Sequence, residues 1–327
     1  MTAPSPERAN RAGRRCAKTT IRTQPRCILG KIAVTLQQAL AQRAREGTRG
    51  TTTSRPLAQG TGWDAADVLC TFGPRDQPFE ERHAGVCIAM VVAGAFGYRA
   101  GTGRELLTPG ALLLGNPDDC FECGHRHAAG DRCIAFRYAP AYFERLAADA
   151  GIASGTLNFR RARIPSLPAL SPLIARACAG ASDAGDAVWD ELAVELVVST
   201  LRAAGALTRA EAPASPAAWS RVAQTVRLID ETPGAAHTLT SLAAAAGLSE
   251  FYFLRTFQRV TGVTPHQYVL RARLRAAAQR LHDDSAKVVD IALDCGFNDL
   301  SNFNHAFRAE FASSPRAWRA RGRARRA

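Results

Sequence analysis

The feature that most constrains this chain is a pattern written twice in its last hundred residues. The first copy reads Leu242-Ala243-x-x-x-Gly247-Leu248-Ser249 and is followed by Phe253 and Phe257. The second reads Ile291-Ala292-x-x-x-Gly296-Phe297-Asn298, followed by Phe303 and Phe307. In each copy an alanine precedes the glycine by four residues, and two phenylalanines four apart come after it. Phe253 lies six residues beyond its glycine and Phe303 seven, so the second turn is one residue longer. A small residue, a glycine and an apolar pair at helical spacing describe two helices crossing closely about a turn. The pattern predicts two helix-turn-helix units.

Each element has a physical reason. Ala243 and Ala292 are small where two helices must approach, and Gly247 and Gly296 fit the left-handed backbone that ends the first helix of each unit. Ser249 suits the N-cap of the following helix, and Asn298 or Asp299 suits it in the second copy. A helical wheel turns Phe253, Phe257 and Val260 inward and leaves Phe251, Leu254, Arg255 and Gln258 outward. In the second copy Phe303 and Phe307 turn inward, leaving Ser301, Asn304, His305 and Arg308 outward. Such donors suit phosphates and base edges, and arginine is shaped for guanine. One helix of this kind would be read as a solvated face; two matched units make double-stranded DNA the leading partner.

These residues resemble the DNA-binding domain of AraC-type transcriptional regulators, over about residues 219–320. Thr264-Pro265-His266-Gln267-Tyr268-Val269 through Ala276-Ala277-Ala278-Gln279-Arg280-Leu281 is similar to the family's linker helix. Asp290-Ile291-Ala292, Cys295-Gly296-Phe297, Ser301, Phe303, Phe307 and Ser314-Pro315-Arg316-Ala317-Trp318-Arg319 are similar to its signature. The resemblance places base contacts at Phe251, Leu254, Arg255, Leu300, Ser301, Asn304 and His305; Ser249, Gln258 and Arg308 complete the candidate set. Glu250 is a departure: it would repel nearby phosphate, or favour the positive end of the helix macrodipole. The resemblance implies a transcriptional activator or repressor with an N-terminal cupin-like sensing barrel. Its implied partners are DNA, RNA polymerase, a small-molecule effector and a second copy of the chain.

Charge is distributed accordingly. Residues 216–327 carry 16 Lys and Arg against 9 Asp and Glu, residues 56–215 carry 14 against 18, and residues 1–55 carry 12 against 2. The net +13 therefore belongs to the two ends, and a basic C-terminal third fits phosphate neutralisation. The Arg-rich stretch 319–326 reads as a flexible phosphate-contacting extension or a solvated tail.

The expected fold class is α+β. Residues 1–55 form a basic extension expected to be disordered, its first 33 positions being nearly acid-free and without periodic apolar residues. Those 33 positions are also open to an alternative: Val34 looks like a natural beginning, so that 1–33 are not native. Residues 56–212 form the sensing region, 213–218 a linker, 219–320 the DNA-binding domain and 321–327 a basic tail. Strands are expected at 67–72, 85–92, 96–99, 112–114 and 134–138, with a turn at Thr108-Pro109-Gly110. Helices are expected at 140–150 and 187–206. The second carries Trp189, Leu192, Leu196 and Leu201 on one side, either as a dimer seam or packed on the barrel. The longest apolar run, Val86 to Phe96, is too short to span a bilayer, and the N-terminus lacks the apolar core of a secretory signal. With an odd number of cysteines, nine, a cytoplasmic protein without membrane attachment is expected.

One chemical cluster stands out in the middle of the chain. Cys120, Cys123, His125, His127 and Cys133 have donors and spacings able to hold zinc or another divalent metal. On an extended strand Cys123, His125 and His127 share a face, and Cys120 turns away unless the chain bends. Buried structural thiols and a redox-responsive pair are the other readings. No Ser/His/Asp order, phosphate-cradling loop or paired-carboxylate motif accompanies it, so an enzyme is not expected. The competing possibilities are a metal-dependent cupin-type enzyme or sensor with an accessory DNA-binding domain, and a nucleoid-type binder without sequence preference.

Overall fold

The computed structural model describes residues 36–126, 129–152, 158–182, 189–207, 214–283 and 285–324. The expectations for residues 1–33 lie outside these. A sheet-rich N-terminal region is followed by a helical C-terminal one, giving the α+β class expected.

A helix α1 (Leu36–Glu46) leads into strands β1 (Thr52–Gly60), β2 (Trp63–Cys70), β3 (Phe79–Arg82), β4 (Val86–Gly94) and β5 (Phe96–Ala100). Strands β6 (Gly103–Leu107), β7 (Leu112–Gly115), β8 (Cys120–Gly124), β9 (Asp131–Tyr138) and β10 (Arg163–Ile164) complete two sheets. The larger runs β1-β2-β9-β4-β7-β10 and the smaller β3-β8-β5-β6, with antiparallel pairing throughout. Three helices, α2 (Pro140–Asp149), α3 (Ser171–Ser182) and α4 (Trp189–Ala206), pack against the larger sheet.

Strand alternation explains the layers. Ile88, Met90, Leu112, Leu114, Ile134 and Phe136 turn toward α2, α3 and α4. Cys87, Ala89, Val91, Cys133 and Ala135 turn the other way, onto Phe96, Tyr98, Leu107 and Cys123 of the smaller sheet. Buried on both faces, β4 reads as an unbroken apolar run, and each large side chain so buried contributes about 1.5–3 kcal/mol. The stripe Trp189, Leu192, Leu196 and Leu201 of α4 is covered by this core within the chain, so of its two expected roles the structure uses packing on the sheet.

Two expectations are corrected. The basic extension does not remain unstructured to residue 55, because α1 and the start of β1 occupy residues 36–46 and 52–55. Buried Leu36 anchors α1, and Arg43 donates to the carbonyl oxygen of Thr71 and to Asp76 Oδ2, the latter at 2.7 Å. Nor does the chain become a tail at residue 321, since the last helix continues to Ala324.

The C-terminal region comprises α5 (Pro216–Glu231), α6 (Leu239–Ala245), α7 (Glu250–Thr261), α8 (Pro265–Asp283), α9 (Val288–Asp294), α10 (Leu300–Phe311) and α11 (Pro315–Ala324). Its two cores share α8. Tyr268, Val269 and Ala272 join α5, α6 and α7, whereas Leu274, Ala277, Ala278 and Leu281 join α9, α10 and α11. The linker helix is thereby the common wall of both units.

Candidate nucleic-acid interface

The two helix-turn-helix units close in the same way. Gly247 and Gly296 have φ of 62° and 85°, and the next residue in each returns its N–H to the helical alanine carbonyl. Leu248 reaches Ala243 and Phe297 reaches Ala292, both at 3.0 Å. Ser249 then caps α7, accepting from the Tyr252 N–H at 3.5 Å. In the second unit Asp299 caps α10, accepting from Ser301 N–H at 2.9 Å and Asn302 N–H at 3.0 Å. The extra residue of the second turn is accommodated before this cap.

Beyond the caps, the order of buried and exposed positions over residues 251–260 repeats position for position over 301–310. Phe253, Phe257, Phe303 and Phe307 are completely buried. Ser249, Phe251, Arg255, Gln258, Leu300, Ser301, His305 and Arg308 are exposed, and Leu254 and Asn304 are half-buried at corresponding places. Among the outward residues the wheel left out are Tyr252, which is 66% exposed, and Asn302. The signal for both was their place beside Phe251 and Ser301 on the helix's first turn.

Local contacts position the donors. The Arg255 guanidinium lies 5.7 Å from the Phe251 ring centroid, a cation–π contact that leaves its N–H groups outward. Glu250 accepts from the Thr240 hydroxyl at 2.5 Å, so its carboxylate is engaged by α6 and sits in the first turn of α7. Each helix thus offers polar donors with an apolar residue among them, a mixture able to contact phosphates, base edges and thymine methyl groups.

Polar contacts hold these helices against the sheet-rich region. Arg163, buried on β10, donates to the Thr261 carbonyl oxygen at 2.6 Å and to Glu105 at 3.0 Å. From α8, Arg271 donates to the Ser166 carbonyl oxygen at 2.6 Å and lies 3.4 Å from Glu310 of α10, which also accepts from the Ser171 hydroxyl. The Arg104 guanidinium lies 5.0 Å from the Trp219 ring of α5.

Between the regions runs a cleft of about 550 Å³. Val92, Ile134, Ile174 and Val226 supply apolar wall, and Arg132, Asp230 and Arg275 supply charge. Asp230 accepts from Tyr268 Oη at 2.8 Å and Arg275 at 3.2 Å; burial raises its carboxyl above the usual range while Arg275 opposes the rise.

The cysteine–histidine cluster is arranged differently from the expectation. Cys120 is exposed, opposite Arg82 in the smaller sheet, whereas Cys123 three residues on is buried. An odd separation on a strand turns two side chains to opposite faces. His125 lies just past the end of β8 and turns to Asp131, with Nε2 at 2.6 Å from Oδ1. Cys133 is buried two residues beyond Asp131, its Sγ 3.4 Å from Oδ2. His127 lies outside the described residues. Among the described residues the donors that converge are those of Cys70, His125 and Asp131, within 4.8 Å of one another. Cys70 and Asp131 stand outside the expected set, 61 residues apart in sequence; their cross-strand pairing brings them together.

Residues 242–321 match the family model described as a helix-turn-helix domain. Over 103 residues the chain is 36% identical to the RCS-specific HTH-type transcriptional activator RclR of Escherichia coli K12, covering 32% of this chain and 36% of that protein. Over 62 residues it is 47% identical to the HTH-type transcriptional activator RhaS of Escherichia coli O139:H28, covering 19% of this chain and 22% of that protein. The chain thus spans about a third or less of the length of these relatives. Among solved structures it is similar to the DNA-binding domain of AdpA in complex with a target DNA, at 33% identity, with 32% of this chain and 96% of that one covered and a TM-score of 0.32. The C-terminal region is a helix-turn-helix domain. More narrowly, it is one of the AraC type.

Proposed function

We propose that this protein is a sequence-specific DNA-binding transcriptional regulator whose sheet-rich region senses a small molecule and controls the helices that read DNA. The observation that carries it is the residue-for-residue repetition of buried and exposed positions on α7 and α10, with phenylalanines inward and donors outward on both. Ser249, Phe251, Leu254, Arg255 and Gln258 form one contact set; Leu300, Ser301, Asn304, His305 and Arg308 form the other. Two such helices on one shared helix suit successive major grooves, about 34 Å apart.

The cleft favours a small organic effector. Its volume lies in the range of small-molecule sites, and its few charged groups sit in an apolar wall. Both regions line it, so an effector that prefers one arrangement of them shifts the population toward that arrangement. A second copy of the chain and RNA polymerase are the further partners proposed. In this reading the sheet-rich region binds rather than catalyses.

Retention of genomic fragments by the purified full chain at physiological salt tests the proposal. Recovery of paired short boxes about one helical turn apart is expected. Retention without any common sequence overturns it.

A further inference from the structure

The end of the larger sheet holds a buried polar group that its hydrogen bonds do not fully satisfy. Cys70 closes β2 and Asp131 opens β9, directly opposite each other in the ladder. His125 reaches in from beyond β8, and Cys133 shares the Asp131 face two residues along β9. All four are buried: Cys70 3%, His125 4%, Asp131 5% and Cys133 6% exposed. His125 uses Nε2 on Asp131, and its Nδ1 is buried with no hydrogen-bond partner. The Phe72 and Phe96 rings lie near the imidazole, with centroids 6.3 and 5.9 Å from it, and exclude water from that side. Among the described residues the ion-pair partner of the Asp131 carboxylate is His125 alone.

We propose that Cys70, His125, Asp131 and Cys133 bind one thiophilic divalent cation of the zinc class. The donor set is the S, N and O mixture such cations take: Cys70, His125 and Asp131 converge, and Cys133, outside that trio with its Sγ 3.4 Å from Asp131 Oδ2, moves in as the fourth ligand of a tetrahedron. Bonds of about 2.0–2.3 Å put tetrahedral ligands roughly 3.3–3.8 Å apart. The three converging donors lie within 4.8 Å of one another, so the widest pair closes by roughly 1–1.5 Å at most, while His125 Nε2 and Asp131 Oδ1, 2.6 Å apart, open by roughly 0.7 Å or more to admit the cation. On binding, the two thiols release their protons to solvent, and two thiolates, one carboxylate and the dication leave the site with net charge −1. The imidazole binds as a neutral ligand. Arg132, between two of the ligands in sequence, lines the cleft between the regions. The site stands on these residues whether or not α7 and α10 read DNA, and its test does not involve DNA.

The experiment uses the full chain, reduced and stripped of metal, titrated with Co²⁺ while the thiolate-to-cobalt charge-transfer absorption is followed. Zn²⁺ is then added in competition. The expected result is a charge-transfer band saturating at one equivalent and abolished by Zn²⁺. Cys70→Ser and Cys133→Ser are expected to lose intensity and bind at least about tenfold more weakly, and Cys120→Ser to match the parent. If a serine variant fails to fold by circular dichroism, Asp131→Asn, nearly isosteric, replaces it and is expected to weaken binding likewise. Absence of a charge-transfer band in the folded parent overturns the proposal. So does a band lost in Cys120→Ser but unchanged in the Cys70, Cys133 and Asp131 variants.

Discussion

Arg163 donates to the carbonyl oxygen of Thr261 at 2.6 Å, tying the sheet-rich region to the last residue of α7. The same guanidinium pairs with Glu105 at 3.0 Å, so the bond comes from a buried cation held on its own side by a carboxylate. A main-chain acceptor at a helix C-terminus suits a cation, because the carbonyl dipoles there point outward. This contact, with the Ser171 hydroxyl donating to Glu310 of α10, gives the sheet-rich region a direct hold on α7 and α10.

Arg163→Met is expected to destabilise the chain by about 2–3 kcal/mol, because Glu105 is only partly buried and recovers some solvation. Denaturant unfolding measures the loss. Amide exchange in the last turn of α7 is expected to accelerate more than exchange in the middle of α10. Equal acceleration in both helices would mean that Arg163 stabilises globally and holds α7 no more than its neighbour.

Inward and outward residues of α7 should separate cleanly on substitution. Phe257→Ala is expected to cost about 3–5 kcal/mol of stability, since it removes a completely buried ring. Arg255→Ala is expected to leave stability within about 0.5 kcal/mol. Its effect belongs to binding, about 1–3 kcal/mol at one box if the guanidinium reads a base. Weakening that is uniform across all DNA sequences would place Arg255 on phosphate instead.

What the sequence disclosed follows from where the physical signal is local. The two helix-turn-helix units were legible because glycine, cap and phenylalanine spacing lie within a dozen residues of each other, and Ser249 and Asp299 cap as their types require. The buried strands β2, β4, β5, β7 and β9 were legible as apolar runs. Strands β1 and β3 were not: Thr-Thr-Ser-Arg-Pro and Phe-Glu-Glu-Arg lie largely exposed or half-buried, and lack that signal. The converging donors were half visible. His125 and Cys133 stood in the motif, but Cys70 and Asp131 joined them through strand register, which no local spacing encodes.

Positions fifty apart give a matched test of backbone strain. Gly262 ends α7 at φ 80°, and a Cβ there would lie 2.5 Å from Pro165 Cβ. Ala312 ends α10 at φ 50°. Gly262→Ala is expected to destabilise by more than the roughly 1–2 kcal/mol of left-handed strain, because Pro165 must also move. Ala312→Gly is expected to stabilise by up to about 1 kcal/mol, with part of the relief offset by a freer unfolded chain. Thermal unfolding of both variants checks the pair, and shifts of the same sign would contradict it.

His83 sets a pH dependence. It is buried, bonds the Tyr98 hydroxyl through Nε2 at 2.8 Å and stacks on Phe121 at 4.1 Å. Burial lowers its pKa to about 4, against a smaller opposing pull from Asp119. Between about pH 6.5 and 4 the unfolded chain binds the proton that the folded chain refuses, so stability falls as pH falls through that window. The loss is at most about 3 kcal/mol. His83→Gln is expected to flatten this part of the stability–pH curve, and an identical slope in the variant would assign the effect to other groups.

The most direct test of paired reading by α7 and α10 is equilibrium binding to a duplex carrying both recovered boxes, compared with duplexes scrambled in one box, the other, or both. The account predicts that scrambling either box weakens binding at least about tenfold, or about 1.4 kcal/mol, and that scrambling both leaves only salt-sensitive residual affinity. Equal affinity for the intact and doubly scrambled duplexes at physiological salt would contradict it.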